Sequence, residues 1–333
     1  MIDTIYIEAA VRQHPRTSVI LSRFPKARLI PCERYGEVFN PRSQDFRIQK
    51  QRPALILAEK FDNFILPAPE GFGIGGEENF YFSHILNCLY DCRYCFLQGM
   101  FRSANYLLFI NYESFMSAID RKLGETVANK TVTFFSGYDC DSLALESVTG
   151  FTEAFLPFFR ERPRAILELR TKSVNIQLLL DSEPFDNCIT AFSFTPEEIS
   201  KKTEDGVPPV KSRIKAMNQL AERGWPLGLR LDPLICHNGF ESTYRRLVND
   251  IFAAVPAKAF HSVSLGPMRF PTAMFDTIAK LYPENRLLAG PLHRSNGMVT
   301  YQKEVEEEMT QFCRSLLSEH LPTEKFFYCT PWC

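Results

Sequence analysis

Charge of a dominant sign is the first thing missing: 38 basic side chains stand against 39 acidic ones in 333 residues. Such a chain has no global field to hold nucleic acid or an anionic membrane, so any DNA contact must be a local patch. Also missing is an apolar run approaching the roughly 20 residues that cross a bilayer. The opening Met1-Ile2-Asp3-Thr4-Ile5-Tyr6 lacks the basic stretch, apolar run and small-residue cleavage site of a secretory signal. No membrane partner is expected. Ten cysteines without an export signal do not read as a disulfide framework, and the expected compartment is the reducing cytoplasm, where thiols stay free for metal or catalysis. Internal repeats and low-complexity linkers are absent as well. Hydrophobic residues make up 45%, enough to bury the core of one large α/β domain or two ordinary ones.

What is present is a trio of cysteines, Cys88, Cys92 and Cys95, in the run from Asn87 to Phe96, just after an apolar strand-like segment. Thiolates are the usual protein ligands of iron–sulfur clusters. Three so close in sequence can hold three irons of a four-iron cube from one short loop, and the fourth iron then stays open to a chelating small molecule. A second reading adds His84 to the three cysteines as a closed tetrahedral zinc site, which makes the chain a non-catalytic zinc-binding module. Zinc knuckles usually present C-x2-C pairs across a longer loop. A second pair is missing here, so the spacing favours the cluster.

Along the chain, residues 1–79 show short extended pieces, many prolines and no clean helix repeat, and read as a small lead-in region. Within it Arg42, Arg47, Lys50 and Arg52 read as a solvated loop rather than a phosphate site. The glycines from Gly71 to Gly76 precede a strand, whereas a dinucleotide fingerprint runs strand, glycines, helix; that reading is rejected. Strands are expected at 80–85, 107–110, 132–135, 165–169, 189–194, 227–231 and 260–265. Helices are expected from Asn111 with Phe115, Ile119 and Leu123 on one face, at 151–159 with Pro157 as a candidate kink, at 174–180, at 210–223 between Pro209 and Gly224, and at 240–255. About six strand–helix units in series argue a parallel sheet, which right-handed crossovers curl into a full or partial barrel. The cysteine loop, the Ser136–Asp141 loop, Lys172 and Ser193 all fall near predicted strand ends, where such barrels gather their chemistry. Residues 80–290 form this barrel. Residues 291–333 form a C-terminal extension with a hairpin at Asn296-Gly297, a charged helix at 304–320 and a closing strand at 326–328.

The C-x3-C-x2-C spacing, with the aromatic Tyr94 just before the last cysteine, resembles the cluster motif of the radical S-adenosylmethionine (SAM) enzymes. Thr171-Lys172, Phe192-Ser193, Arg213-Ile214-Lys215-Ala216, Gly224-Trp225-Pro226-Leu227-Gly228, Arg269-Phe270 and Tyr301-Gln302-Lys303 follow in the order of the spore photoproduct lyase family. The resemblance implies a partial (β/α)6-type TIM barrel and a 4Fe-4S cluster on Cys88, Cys92 and Cys95. It also implies SAM chelating the open iron and splitting, on reduction, to a 5′-deoxyadenosyl radical. Tyr94 would lie against the adenine, Lys172 and Ser193 would hold the carboxylate and amino group, and Ser142 would match the family's serine at the cofactor. The implied activity is a radical SAM lyase repairing a thymine photoproduct in DNA, fed by a reductase or flavodoxin-type electron donor.

Departures from the family pattern keep alternatives open. The family's hydrogen-donating cysteine falls on Tyr138 when residues are counted back without a gap from Leu145, and on Cys140 after a two-residue shift. Phe96 replaces a second tyrosine of the family, so either a radical relay runs through Tyr94 and Cys140 or the product radical is quenched otherwise. The hairpin near Asn296 is poor in basic and aromatic residues, leaving Arg269, Arg294 and Lys303 to meet phosphates. A different substrate, such as another modified base, an RNA or a small molecule, is the alternative. Cys32, Cys188, Cys236, Cys313, Cys329 and Cys333 read as free thiols, and His237 and His261 as structural.

Overall fold

The computed structural model describes residues 2–42 and 44–328. The larger of two main sheets has eight strands. From one edge to the other they are Phe326–Tyr328, Phe260–Pro267, Leu227–Leu234, Cys188–Ser193, Ala165–Thr171, Val132–Phe135, Glu78–Tyr81 and Leu66–Pro67. All neighbours run parallel except the last pair, which is antiparallel. The sheet curls into the expected partial barrel. Its strands are legible as apolar runs because a parallel sheet is covered on both faces; Val132–Phe135 and Cys188–Ser193 are buried at every position. The C-terminal strand joins as a further parallel strand, and the hairpin turns at Asn296 and Gly297, both with positive φ, as the Asn-Gly pair predicts.

The smaller sheet has five strands, Arg28–Cys32, Thr4–Glu8, Leu55–Ala58, Tyr106–Phe109 and Ile85–Leu86. Here the structure departs from the expected units. The predicted strand at 80–85 is two pieces in different sheets. Tyr106–Phe109, expected within the barrel series, instead pairs parallel with Leu55–Ala58. Residues before 80 therefore share a sheet with residues beyond it. The buried carboxylate of Glu8 fastens this layer by accepting from the backbone N–H groups of Tyr35 at 3.1 Å and Glu59 at 2.8 Å.

The segment read as a solvated basic loop is also a helix, Phe46–Gln51, whose N-cap Asp45 accepts from Ile48 N at 2.9 Å. Its position matters below. The helix Val210–Arg223 ends as expected on Gly224, with φ of 94° and a bond from Trp225 N to Leu220 O of 3.0 Å. Helix Phe151–Arg160 runs on through Pro157, and the stretch expected at 174–180 forms a helix over Gln177–Asp181. Among the described residues no helix is long and apolar enough to cross a membrane. Cys32, Cys188, Cys236 and Cys313 are free thiols; Cys329 and Cys333 lie outside the described residues.

Candidate active site

A cavity of about 550 Å³ opens at the carboxyl ends of the barrel strands, and Cys88, Cys92 and Cys95 line it together. Local chemistry explains how the loop gets there. Asn87 adopts a φ of 71°, which asparagine tolerates better than most residues. Its side-chain amide donates to the carbonyls of Ser103 and Asn105, both at 2.8 Å, so the chain turns into Cys88 with its amide satisfied. Lys50, delivered by the Phe46–Gln51 helix, donates to the carbonyls of Cys88 at 3.0 Å and Tyr90 at 3.4 Å. A further turn closes from Cys95 N to Cys92 O at 3.0 Å.

Burial pushes all three thiols up, Cys88 to about 12, so they hold their protons until a metal displaces them. Among the described residues no three His, Cys, Asp or Glu side chains converge as one metal ion requires. A cube gives each thiolate an iron of its own and accepts wider spacing, so this donor set fits a cluster better than a single zinc. His84, the fourth ligand of the zinc reading, is buried with its ring flat on Phe151, 3.9 Å between centroids and 10° between planes. It lines neither cavity that the cysteines line, and burial holds its pKa down to about 3. The zinc arrangement with His84 is therefore not what the fold builds.

Tyr94, Lys172 and Ser193 line the same cavity as the cysteines. The ammonium of Lys172 stands 5.6 Å over the Tyr94 ring, and Ser193 ends the Cys188–Ser193 strand. Ser142 is elsewhere: its hydroxyl pairs with that of Ser136 at 2.8 Å, and it is not among the lining residues. Sequence reasoning passed over Asp141. Its carboxylate accepts from Leu143 N (3.0 Å), Ala144 N (2.9 Å), Thr171 Oγ1 (2.7 Å) and Lys172 N (2.6 Å). That staples the Ser136–Asp141 loop to the strand end that carries Lys172. An acidic residue in a loop carries no periodic signal that would single it out.

Tyr138 and Cys140 both touch the cavity but face different surroundings. Tyr138 stacks on Tyr81 at 4.3 Å, meets Phe96 at 5.6 Å and Phe72 at 6.0 Å, and its hydroxyl has no hydrogen-bond partner among the described residues. Burial, with Tyr81 and Asp139 nearby, pushes its phenol up to about 12, so it stays protonated. The thiol of Cys140 is directed at the Ser136 carbonyl, 3.5 Å away, and packs with Ile7, Leu57 and Leu108 of the smaller sheet's core. Phe72 comes from the glycine stretch that does not fit a nucleotide loop, and it lines the cavity together with Gly71.

The cations expected to meet phosphates already hold acids. Arg269 pairs with Asp232 at 3.3 Å, Arg294 with Asp276 at 2.6 Å and Lys303 with Glu307 at 3.6 Å. Behind Asp232, Arg170 lies 3.8 Å from that carboxylate and 3.0 Å from Glu168, which also binds the buried Arg230 at 2.8 Å. Burial pushes the Glu168 carboxyl up, but the two arginines outweigh it and hold it below its usual range.

Comparison with known proteins bears on this cavity. The chain matches the family model described as spore photoproduct lyase over residues 81–330. The spore photoproduct lyase of Bacillus subtilis (strain 168) is 26% identical over 253 residues, spanning 73% of this chain and 74% of the relative. That of Geobacillus sp. (strain Y412MC61) is 21% identical over 258 residues, spanning 73% and 74%. A solved mutant of spore photoproduct lyase with bound AdoMet and dinucleoside spore photoproduct superposes with a TM-score of 0.83 over 98% of both chains, at 16% identity. Spore photoproduct lyase complexed with the dinucleoside spore photoproduct gives 0.80 over the same shares, at 17% identity. At such identity the structural likeness is one of fold. It extends through the smaller sheet, most of which precedes the region that the family model matches.

Proposed function

Because this chain belongs to the spore photoproduct lyase family, we propose that it is a radical SAM lyase that returns a thymine photoproduct of DNA to thymines. One observation carries the reading: three thiols, Lys172, Ser193 and an aromatic mouth converge on a single cavity. Cys88, Cys92 and Cys95 would hold a 4Fe-4S cluster, which supplies, when bound, the electron that splits SAM to a 5′-deoxyadenosyl radical. The cofactor carries that chemistry, and the protein contributes binding, orientation and dryness.

Tyr94 offers its ring to the adenine, while the Lys172 ammonium and the Ser193 hydroxyl hold the amino acid end of SAM. The buried floor keeps water from a reactive intermediate. At the mouth, Phe72, Phe96 and Tyr138 give flat apolar faces for a base turned out of its stack, and a damaged pair costs less to extrude. Hydrogen return falls to Tyr138 rather than Cys140. The Tyr138 O–H gives its hydrogen atom to the product radical, and an electron from the external donor with a proton from solvent restores the phenol. That donor is a reductase or flavodoxin-type protein, and the setting is the cytoplasm.

The test is anaerobic reconstitution with iron, sulfide, dithionite and SAM, then ultraviolet-irradiated DNA in D2O, with products followed by chromatography and mass. Deuterium in the recovered thymine is expected from wild type and from Cys140→Ala, and is lost in Tyr138→Phe. The reverse pattern assigns the donor to Cys140, and absence of 5′-deoxyadenosine ends the enzyme class. A second reading, another modified base, an RNA or a small molecule, is favoured by the pairing of Arg269, Arg294 and Lys303 with acids. Formation of 5′-deoxyadenosine without recovered thymine supports it, and transfer of label from candidate substrates into 5′-deoxyadenosine then identifies the class.

A further inference from the structure

Arg213 opens one of the family-like stretches, yet nothing in the mechanism above uses it. It lies on the buried face of the Val210–Arg223 helix with no exposure, so its charge must be met inside the protein. Its Nη2 donates to Glu204 Oε2 at 2.8 Å and to Ser200 Oγ at 2.9 Å, and its Nη1 to the carbonyl of Ser193 at 2.8 Å. The Glu204 side chain is equally buried. It accepts further bonds from Ser200 Oγ at 2.6 Å, Thr195 Oγ1 at 3.1 Å and the phenol of Tyr94.

Backbone contacts reinforce the same link. Glu204 pairs antiparallel with Cys92, and Arg93 N donates to the Thr203 carbonyl at 2.8 Å. One buried ion pair therefore reaches the strand of a cluster cysteine, the ring that meets the nucleoside, and the strand end that carries Ser193. Replacing such a pair by well-packed apolar residues is often neutral or stabilising, so stability alone gives little reason for it here. Apolar packing leaves an aromatic ring free to slide. A hydrogen bond to a fixed carboxylate sets its angle.

We propose that Glu204, anchored by Arg213, is the positioning residue of the SAM site, holding the Tyr94 ring and the Cys92 strand in register with Ser193. The inference rests on the radical SAM reading. It also gives the Tyr94 hydroxyl a standing partner, leaving Tyr138 as the phenol free to return hydrogen.

The test uses reconstituted full-length protein carrying Glu204→Gln, Tyr94→Phe, or both. SAM affinity is read by equilibrium dialysis and by the change that SAM causes in the EPR spectrum of the reduced cluster, beside iron content and melting temperature. Each single change is expected to weaken SAM about 5–10-fold, as loss of a charge-assisted bond would, with iron content at the wild-type level. The double variant is expected to be no weaker than the worse single, because the Tyr94 hydroxyl acts only through its bond to Glu204. Multiplying effects, or a Tyr94→Phe protein that binds SAM as wild type does, overturns the proposal. Tyr94→Phe removes one hydroxyl only, so it decides the matter even if Glu204→Gln folds poorly. Wild type that forms no 5′-deoxyadenosine defeats the parent reading; wild type that does, beside variants with unaltered SAM binding, defeats only this one.

Discussion

The floor of the cavity is held by polar ties to elements far away in sequence, whereas its mouth is held by rings resting on rings. At the floor, Lys50 caps two carbonyls of the cysteine loop, Asp141 gathers four donors, and Glu204 joins the loop to a helix more than a hundred residues later in the chain. At the mouth, Tyr138 leans on Tyr81, Phe72 and Phe96, and the nearby Arg269 is matched to Asp232. Directional bonds fix angles, which a cofactor with one reacting bond demands. Aromatic contacts give area without a strict angle and adapt more readily to a bulky lesion. Under the proposed function, the same cavity would be stiff where SAM is held and adaptable where substrate enters.

The sharpest way to break this contrast is Cys92→Ala. It should abolish cluster retention and 5′-deoxyadenosine formation while the circular-dichroism melt stays close to wild type; a collapse of the melt would mean that the loop supports the barrel. Gly137→Ala comes next, because an added Cβ would stand 2.8 Å from the Arg170 carbonyl and 2.8 Å from Ser142 Oγ. Overpacking of this kind costs about 1–3 kcal/mol. It should show in urea denaturation, together with reduced deuterium return as Tyr138 is displaced.

Lys50→Met tests the floor alone. Losing two bonds to loop carbonyls should cost about 1–2 kcal/mol and speed iron loss to a chelator, with hydrogen return per turnover unchanged. The smallest effect belongs to the hairpin whose Asn296 and Met298 line the cavity. Asp276→Asn frees Arg294 from its ion pair, and if the rim meets phosphate, the slope of log affinity against log salt for lesion DNA should steepen by up to about 0.9. An unchanged slope would mean that Arg294 faces water.

Legibility in the sequence followed the kind of force involved. The barrel strands were readable because burial on both faces leaves uninterrupted apolar runs such as Val132–Phe135. The smaller sheet was not. Thr4–Glu8 carries a buried glutamate, Arg28–Cys32 contains a proline, and Tyr106–Phe109, which joins the sheet beside Leu55–Ala58, arrives from beyond the cysteine loop. Lys50 and Arg213 look like solvated charges in any periodicity argument, since Lys50 meets backbone carbonyls of the distant cysteine loop and Arg213 a carboxylate on a neighbouring element at no helical spacing. Counting along the chain left Tyr138 and Cys140 both open, and only the fold supplies the different surroundings of the two.

By itself the sequence determined where the three thiols stand along the chain and the barrel that carries them. Thiol spacing and apolar runs are local properties, written in consecutive residues. Only the tertiary structure decided that His84 stacks on Phe151 away from the cysteines, that Lys50 and Glu204 brace their loop, and that Arg269 and Arg294 hold acids of this chain. Those outcomes depend on which charges meet after long stretches of chain fold back, and electrostatic partners, unlike helix or strand periods, leave no regular trace along the sequence.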